Sequence, residues 1–226
     1  MRDLCKLYHQ APVLHEQGVH LISTDEKTGI QALEPIHPAL PMRPSHPEAV
    51  EFEYERHGTQ ALIANFEVAT GQVITPSIAH TRTEADFVAH IKQTVATDPQ
   101  GEWIFIVDQL NTHQSASLVA LVAQTCGLTD DLGCKGKTGL LKDMASRAAF
   151  LQEPTHRIRF VYTPKHCSWL NQVEIWFAIL TRRLLKRGRF TSTDELKQRL
   201  LDFIDFFNKT RAKPFRWTDI GEPLMA

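Results

Sequence analysis

An α/β fold, a mixed five-stranded sheet with helices on both faces, is predicted for this 226-residue chain by three observations. The first is a leading antiparallel set: an apolar strand over 19–24, then residues 59–68 and 72–77 joined by the tight turn Ala69-Thr70-Gly71. The second is the uninterrupted apolar run Trp103-Ile104-Phe105-Ile106-Val107, which reads as a central strand buried on both faces. The third is the alternation that follows, helix 115–125, strand 157–163 and helix 169–186, a pattern that builds parallel strands with crossover helices.

The remaining elements follow in order. Residues 1–18 read as a short helix and connector, with Pro12 interrupting and Gly18 turning into the first strand. Prolines 35, 38, 41, 44 and 47 rule out regular structure over 34–50, an ordered surface excursion. Thr81-Arg82-Thr83-Glu84 starts a helix carrying Phe87, Ile91 and Val95 at helical spacing, ended by Asp98-Pro99-Gln100-Gly101. Residues 127–157 are polar and rich in Gly, Lys and Asp, with a helical piece over 144–151. The late helix 169–186 turns Leu170, Val173, Phe177, Leu180 and Leu184 to the core. Ser192-Thr193-Asp194-Glu195 reads as a capping box, opening a last helix with Leu196, Leu200, Phe203 and Phe207 inward. Lys213-Pro214-Phe215-Arg216-Trp217 folds back as an apolar tail.

Composition narrows the function classes. No apolar run approaches the roughly 20 residues that span a bilayer, and the first six residues lack a signal-peptide core. Cys5, Cys126, Cys134 and Cys167 show no regular spacing, which fits a reduced, cytoplasmic setting; with His166 they match no common zinc pattern. The net charge of −1 hides a segregation: residues 1–113 carry 7 basic and 15 acidic residues, residues 114–226 carry 18 and 11. Arg157, Arg159, Lys165, Arg182, Arg183, Lys186, Arg187 and Arg189 are opposed only by Glu174, a surface suited to a polyanion.

Three acids mark the chemistry. Asp25 follows strand one, Asp108 follows the central strand, and Glu174 lies in the late helix. Carboxylates at the ends of apolar segments must be solvated, neutralised or ligated. If strands one and four pair, Asp25 and Asp108 are adjacent, and three converging carboxylates suit hard divalent cations of a two-metal phosphoryl-transfer site. Glu26 is the competitor for Asp25, but a strand alternates faces and only one of the two can point at the site. Gly133-Cys134-Lys135-Gly136-Lys137-Thr138 echoes a phosphate-binding loop, yet Asp131 stands where a glycine is required and no apolar strand precedes it.

The segments Ser23-Thr24-Asp25-Glu26, Phe105-Ile106-Val107-Asp108-Gln109-Leu110-Asn111-Thr112-His113 and Ser168-Trp169-Leu170-Asn171-Gln172-Val173-Glu174-Ile175-Trp176 together resemble the catalytic domain of DDE transposases. The resemblance is to the bacterial insertion-sequence branch of the Tc/mariner superfamily and covers residues from about 19 to 217. Gln109 replaces the Asn common after the second Asp, Asn171-Gln172-Val173-Glu174 stands for Asn-Pro-Ile-Glu, and residues 127–157 lengthen the spacing to Glu174.

The resemblance implies an RNase H-like fold, with a catalytic domain over 19–189 that carries 127–157 as an insertion, and residues 190–226 packing on it. It implies Asp25, Asp108 and Glu174 as catalytic residues holding two Mg²⁺ ions, with Mn²⁺ as substitute, for DNA strand cleavage and strand transfer. It places His113 near the metals or a phosphate. His113, Lys135, Lys137, Lys165, Asn171, Arg182, Arg183, Lys186 and Arg187 are the candidate DNA contacts, on double-stranded transposon ends and target, with a homodimer on DNA in the nucleoid. Asn171 reads equally as an orienting group or helix cap, Trp169 as a base-stacking group, and Trp176 as core. Relatives carry an amino-terminal helix-turn-helix, for which there is no room before strand one, so a separately encoded or truncated catalytic half is expected. Two other readings stay open: an RNase H-like nuclease that cuts without joining, and an inactive or regulatory fragment that binds DNA or a full-length partner.

Overall fold

The computed structural model describes residues 1–37, 40–47, 51–129 and 131–221. Five strands form one sheet in the order β3-β2-β1-β4-β5: β1 (Val19–Pro35), β2 (Tyr54–Glu67), β3 (Val73–Ala79), β4 (Glu102–Val107) and β5 (Ile158–Tyr162). β1 pairs antiparallel with β2, and β2 with β3; β1, β4 and β5 run parallel. The expected pairing of the first and fourth strands is present, from Val19 opposite Glu102 to Ser23 opposite Ile106.

The strands alternate side chains between two cores, which fixes the layers. Trp103, Phe105 and Val107 of β4 face α2 (Glu84–Val95), α3 (Ala116–Thr125) and α4 (Met144–Leu151). Ile104 and Ile106 face α1 (Arg2–Glu16) through Leu4, Tyr8 and Ala11. On that second face, Leu62, Ala64 and Phe66 of β2 meet α5 (Val173–Leu180) and α6 (Thr193–Thr210). Each such large apolar side chain contributes roughly 1.5–3 kcal/mol on burial. Phe105, fully buried and stacked 5.3 Å from Phe160, is the position where truncation to Ala costs most, about 3–5 kcal/mol.

Local chemistry sets several ends. Thr83 caps α2 in a reciprocal box with Asp86, and Ser115 caps α3. Ser192 caps α6 through the Glu195 N–H, but the Glu195 carboxylate turns to the N–H and hydroxyl of Thr191, so the expected box is half made. Ile204 rather than Phe203 completes the buried face of α6. Gly71, at φ 72°, is required where the tail crosses: a Cβ there would lie 2.0 Å from the Lys213 carbonyl oxygen. That crossing lets Phe215 stack 4.7 Å from Phe66 and Trp217 lie 4.8 Å from Tyr8, the folded-back tail the sequence implied.

Three expectations on element ends are corrected. Strand one does not stop at Thr24; β1 continues through Asp25 to Pro35 because β2 supplies antiparallel partners, Asp25 opposite Ala64 and Lys27 opposite Leu62. Pro12 does not interrupt α1, which runs to Glu16, its lost hydrogen bond offset by burial of Leu4, Cys5, Tyr8 and Ala11. The late helix opens at Val173 rather than Trp169, after a 3₁₀ turn (Ser168–Leu170), and closes in a π turn (Thr181–Leu185). The Pro-rich excursion contributes an Arg43–His46 bridge, while residues 38, 39 and 48–50 lie outside the described residues. No helix among the described residues is long and apolar enough to cross a membrane.

Candidate acidic active site

Pairing between β1 and β4 ends at Ser23 and Ile106, so β1 runs on beyond its neighbour and leaves an open notch. Asp25 stands on the flank of that notch and Asp108 at the end of β4. Asp25 is buried, with Oδ1 accepting from the Glu26 N–H at 2.8 Å and Oδ2 accepting from Asn171 Nδ2 at 3.2 Å. Burial pushes its carboxyl up to about 7; the Glu26 N–H opposes this, while Asp108, Glu26 and Glu174 push it further upward. The three acids singled out in the sequence therefore feel one another in the fold, and the charged groups acting on Asp25 are all carboxylates.

Asp108 is anchored differently. Its Oδ1 accepts from the Leu110 N–H at 2.9 Å and from His113 Nδ1 at 2.8 Å. The hydrogen bond from His113 holds the Asp108 carboxyl below its usual range. The other ring nitrogen, Nε2, lies 3.1 Å from Glu26 Oε1, and both side chains are sealed from solvent (0% and 4% exposed). Burial alone would push the His113 imidazole down, but its hydrogen bonds to Asp108 and Glu26 outweigh that and hold it up at about 9. His113 is thus an imidazolium clamped between two carboxylates. The alternation of β1 sends Glu26 to the α2 face, against the His113 and Phe87 pair, and Asp25 to the α5 face.

Glu174 reaches the site on the exposed first turn of α5, and that turn is tied to β1. The buried Ser23 hydroxyl donates to Asn171 Oδ1 and accepts the Val173 N–H at 2.8 Å. Asn171 Nδ2 also donates to the Thr24 carbonyl at 2.9 Å, and its own carbonyl accepts the Glu174 N–H at 3.1 Å. One buried Ser–Asn pair thereby sets the spacing between the strand of Asp25 and the helix of Glu174. Gln109, at the unusual position after Asp108, donates from Nε2 to the Thr163 carbonyl at 2.9 Å and joins the ends of β4 and β5.

Two proposed DNA contacts are corrected. His113 and Asn171 are fully buried with their polar atoms engaged, so they orient carboxylates and cannot touch a nucleic acid. Lys135, Lys137, Lys165, Arg182, Arg183, Lys186 and Arg187 are exposed. Lys135 lies 3.8 Å from Glu84 on the insertion, while Arg182 and Arg183 rim a cavity of about 460 Å³ with Arg211 and Lys213 above Phe207 and Phe215. Trp169 is half exposed beside α5, and Trp176 is core, as expected. The residues missed in the sequence are Ser23 and Glu26, the latter as the partner of His113. A buried serine carries no local signal, and Glu26 reads in the sequence only as a rival to Asp25.

An all-oxygen donor set with a buried carboxyl raised by its neighbours fits a hard divalent cation, whose charge would release the Asp25 proton. Among the described residues, Asp25, Asp108 and Glu174 are not a set whose ligand atoms all lie within 4.8 Å of one another.

Against known proteins, a family model described as DDE superfamily endonuclease matches residues 20–197. The fold is similar to the Mos1 transposase paired-end complex with left transposon end, at TM-score 0.54 and 13% identity, covering 90% of this chain and 53% of that one. It is similar also to the catalytic domain of Mos1 mariner transposase (TM-score 0.52, 13% identity, 90% and 78% covered) and to the Mos1 strand transfer complex (0.53, 14%, 91% and 53%). The chain thus spans about half the length of the transposase chains in the two DNA complexes. A search of curated proteins finds no sequence match.

Proposed function

The chain belongs to the DDE superfamily endonucleases, and from that premise we propose that it is the catalytic domain of a transposase performing divalent-metal-dependent DNA strand cleavage and strand transfer. The observation that carries the proposal is the placement of Asp25 and Asp108 on adjacent paired strands with Glu174 on the helix turn tied to β1, near enough that both acids act on the Asp25 carboxyl. The divalent cations held by these three, Mg²⁺ or Mn²⁺ and two in number as the family resemblance implies, would supply a lowered pKa for the attacking water or 3′-hydroxyl and charge compensation for the departing oxygen.

The protein's own groups do the positioning. Asp25 is presented by the Ser23–Asn171 link at a fixed distance from the first turn of α5. The clamp of His113 keeps one oxygen of Asp108 committed, which leaves the other directed to the half-exposed side of that residue. Lys165, Arg182, Arg183, Lys186 and Arg187 lie on the exposed surface around and beyond α5, where phosphate contacts set register without reading bases. Lys135 and Lys137 extend the same field from the insertion, and Trp169 offers a face for an unpaired base. The relative crystallised as a paired-end complex supports the action of two copies on two DNA ends.

The test is direct. Purified chain is incubated with supercoiled plasmid and with an oligonucleotide bearing a free 3′-hydroxyl, with and without Mg²⁺ or Mn²⁺. Metal-dependent nicking together with joining of the oligonucleotide, both lost in Asp108→Ala, is the expected result. Cleavage without joining would reduce the protein to a nuclease, and activity unaffected by Asp108→Ala would remove the trio from the chemistry.

A further inference from the structure

At the opposite end of the β1–β4 pairing a second group of ligating side chains converges, and the acidic trio makes no use of it. His15 stands in the last turn of α1, His20 is the second residue of β1, and Glu67 is the last of β2. Their ligand atoms, one from each residue, all lie within 4.8 Å of one another. His20 Nδ1 is 2.7 Å and His15 Nδ1 is 3.5 Å from the same oxygen, Glu67 Oε1. Glu67 is buried, and its other oxygen already accepts from the Thr70 hydroxyl at 2.8 Å. The His20 ring is held in place by stacking 4.1 Å from Trp103.

The proton count at His20 makes the cluster informative. A neutral imidazole has one N–H and one lone pair, yet His20 has a carboxylate at each nitrogen, Glu67 at Nδ1 and Asp98 Oδ2 at Nε2, 3.3 Å away. Without an ion, a proton on Nδ1 carries the 2.7 Å hydrogen bond to Glu67; an ion bound there would take the place of that proton, with Nε2–H turned to Asp98. A second imidazole aims its own Nδ1 at that same point, and a ligand histidine whose far nitrogen is held by a carboxylate is the usual outer arrangement of a zinc centre.

We propose that His15, His20 and Glu67 form a transition-metal site of the zinc class, with Asp98 and Thr70 as its outer hydrogen-bonding partners. The N₂O donor set is one that zinc takes and that Mg²⁺ does not favour. Tetrahedral zinc sets its ligand atoms about 3.4 Å apart. The His15–Glu67 edge, at 3.5 Å, has that length already, and the His20–Glu67 edge, at 2.7 Å, needs to open by about 0.7 Å. The half-exposed His15 ring gives solvent a path to the fourth position. The ion joins three elements, α1, β1 and β2, at a point about 16 Å along β1 from Asp25.

Zinc titration of the chelator-treated chain in millimolar Mg²⁺, followed by calorimetry and thermal unfolding, tests this. One equivalent should bind, with a rise in Tm on the order of 5–10 °C at a hundredfold excess over Kd. His15→Ala and His20→Ala should each abolish that rise. Asp98→Asn should weaken binding by about 10- to 100-fold. The double variant Asp25→Asn with Glu174→Gln should bind as the parent does. Absence of stoichiometric zinc binding overturns the proposal, and so does binding that survives both histidine variants or that disappears with Asp25 and Glu174. Should His20→Ala fail to fold, the half-exposed His15→Ala decides alone.

Discussion

Each end of the β1–β4 pairing lies beside a histidine with carboxylates at both ring nitrogens, and the two ends resolve the same problem differently. At the notch, His113 is sealed between Glu26 and Asp108 with no further donor facing it, so a second proton on the ring is its compensation. At the far end, His20 sits between Glu67 and Asp98, is partly open to water, and has a second imidazole aimed at the shared oxygen. A closed pair of carboxylates selects a protonated ring; an open pair with an extra nitrogen suits a soft cation. The acidic trio beside His113 keeps only oxygens, which reserves it for hard ions.

The largest expected effect comes from separating the two ends by mutation. Asp25→Asn or Glu174→Gln should each lower DNA cleavage by roughly a thousandfold or more while far-UV circular dichroism and Tm stay near the parent values. Asp108→Ala should lose cleavage equally but with a fall in Tm, because it also removes a partner of buried His113. A variant of the trio with retained cleavage would break the contrast outright. His113→Ala is next, because it strands the buried Glu26: a loss of about 3–5 kcal/mol is expected in urea unfolding. Glu26→Gln should cost less, since an amide tolerates burial without a charge partner.

pH sharpens the same contrast. Asp25, an acid whose carboxyl is raised to about 7 in the fold, binds a proton in the native state that the unfolded chain has shed above about pH 4. The Asp25 contribution to metal-free stability should therefore fall as pH rises from about 4 to 7, by a few kcal/mol in order of magnitude. Buried His90, lowered to about 3, contributes with the opposite sign, and the difference between the parent and Asp25→Asn isolates the Asp25 part. His113, raised to about 9, gives stability that is whole below about 6.5 and lost as pH climbs through 9. Saturating Mg²⁺ should flatten the first window and leave the second. A parent-minus-Asp25→Asn difference that does not fall between about pH 4 and 7 without metal would contradict the environment described for Asp25.

Two smaller effects complete the series. Asn171→Ala leaves the Ser23 hydroxyl and the Thr24 carbonyl without their partner, an expected loss of about 1–3 kcal/mol with a fall in metal affinity, both read by calorimetry. Arg182→Ser or Arg183→Ser should lower the salt slope of DNA binding by about one each and weaken all sequences alike; a change confined to one sequence would mean base reading instead.

The fold was legible where a residue's neighbours in sequence are also its neighbours in space. The run Trp103 to Val107 could be placed at the centre because both of its faces are apolar. Thr83 and Ser115 announced their helices because a cap acts within one turn. The continuation of β1 past Asp25 was hidden, since the partner that pairs with it lies some forty positions later on β2. The trio could be singled out from segment ends and family resemblance, but its support could not. Ser23, Glu26 and Asn171 do their work through contacts with residues up to 150 positions away, and a serine or an asparagine in isolation looks like any cap.

The Ser23 hydroxyl has a consequence for how such a protein can change. The helix of Glu174 is moored to β1 by hydrogen bonds across the interior, and the stretch that leads up to it does not set its position. Contour length between Asp108 and Glu174 is thereby loosely tied to their separation, although α4 within residues 127–157 packs into the core through Phe150 and Leu151. A foreign peptide spliced at the Gly136 tip should lengthen that route again and leave the acid at its post, so this loop is the natural port for tags or grafted domains.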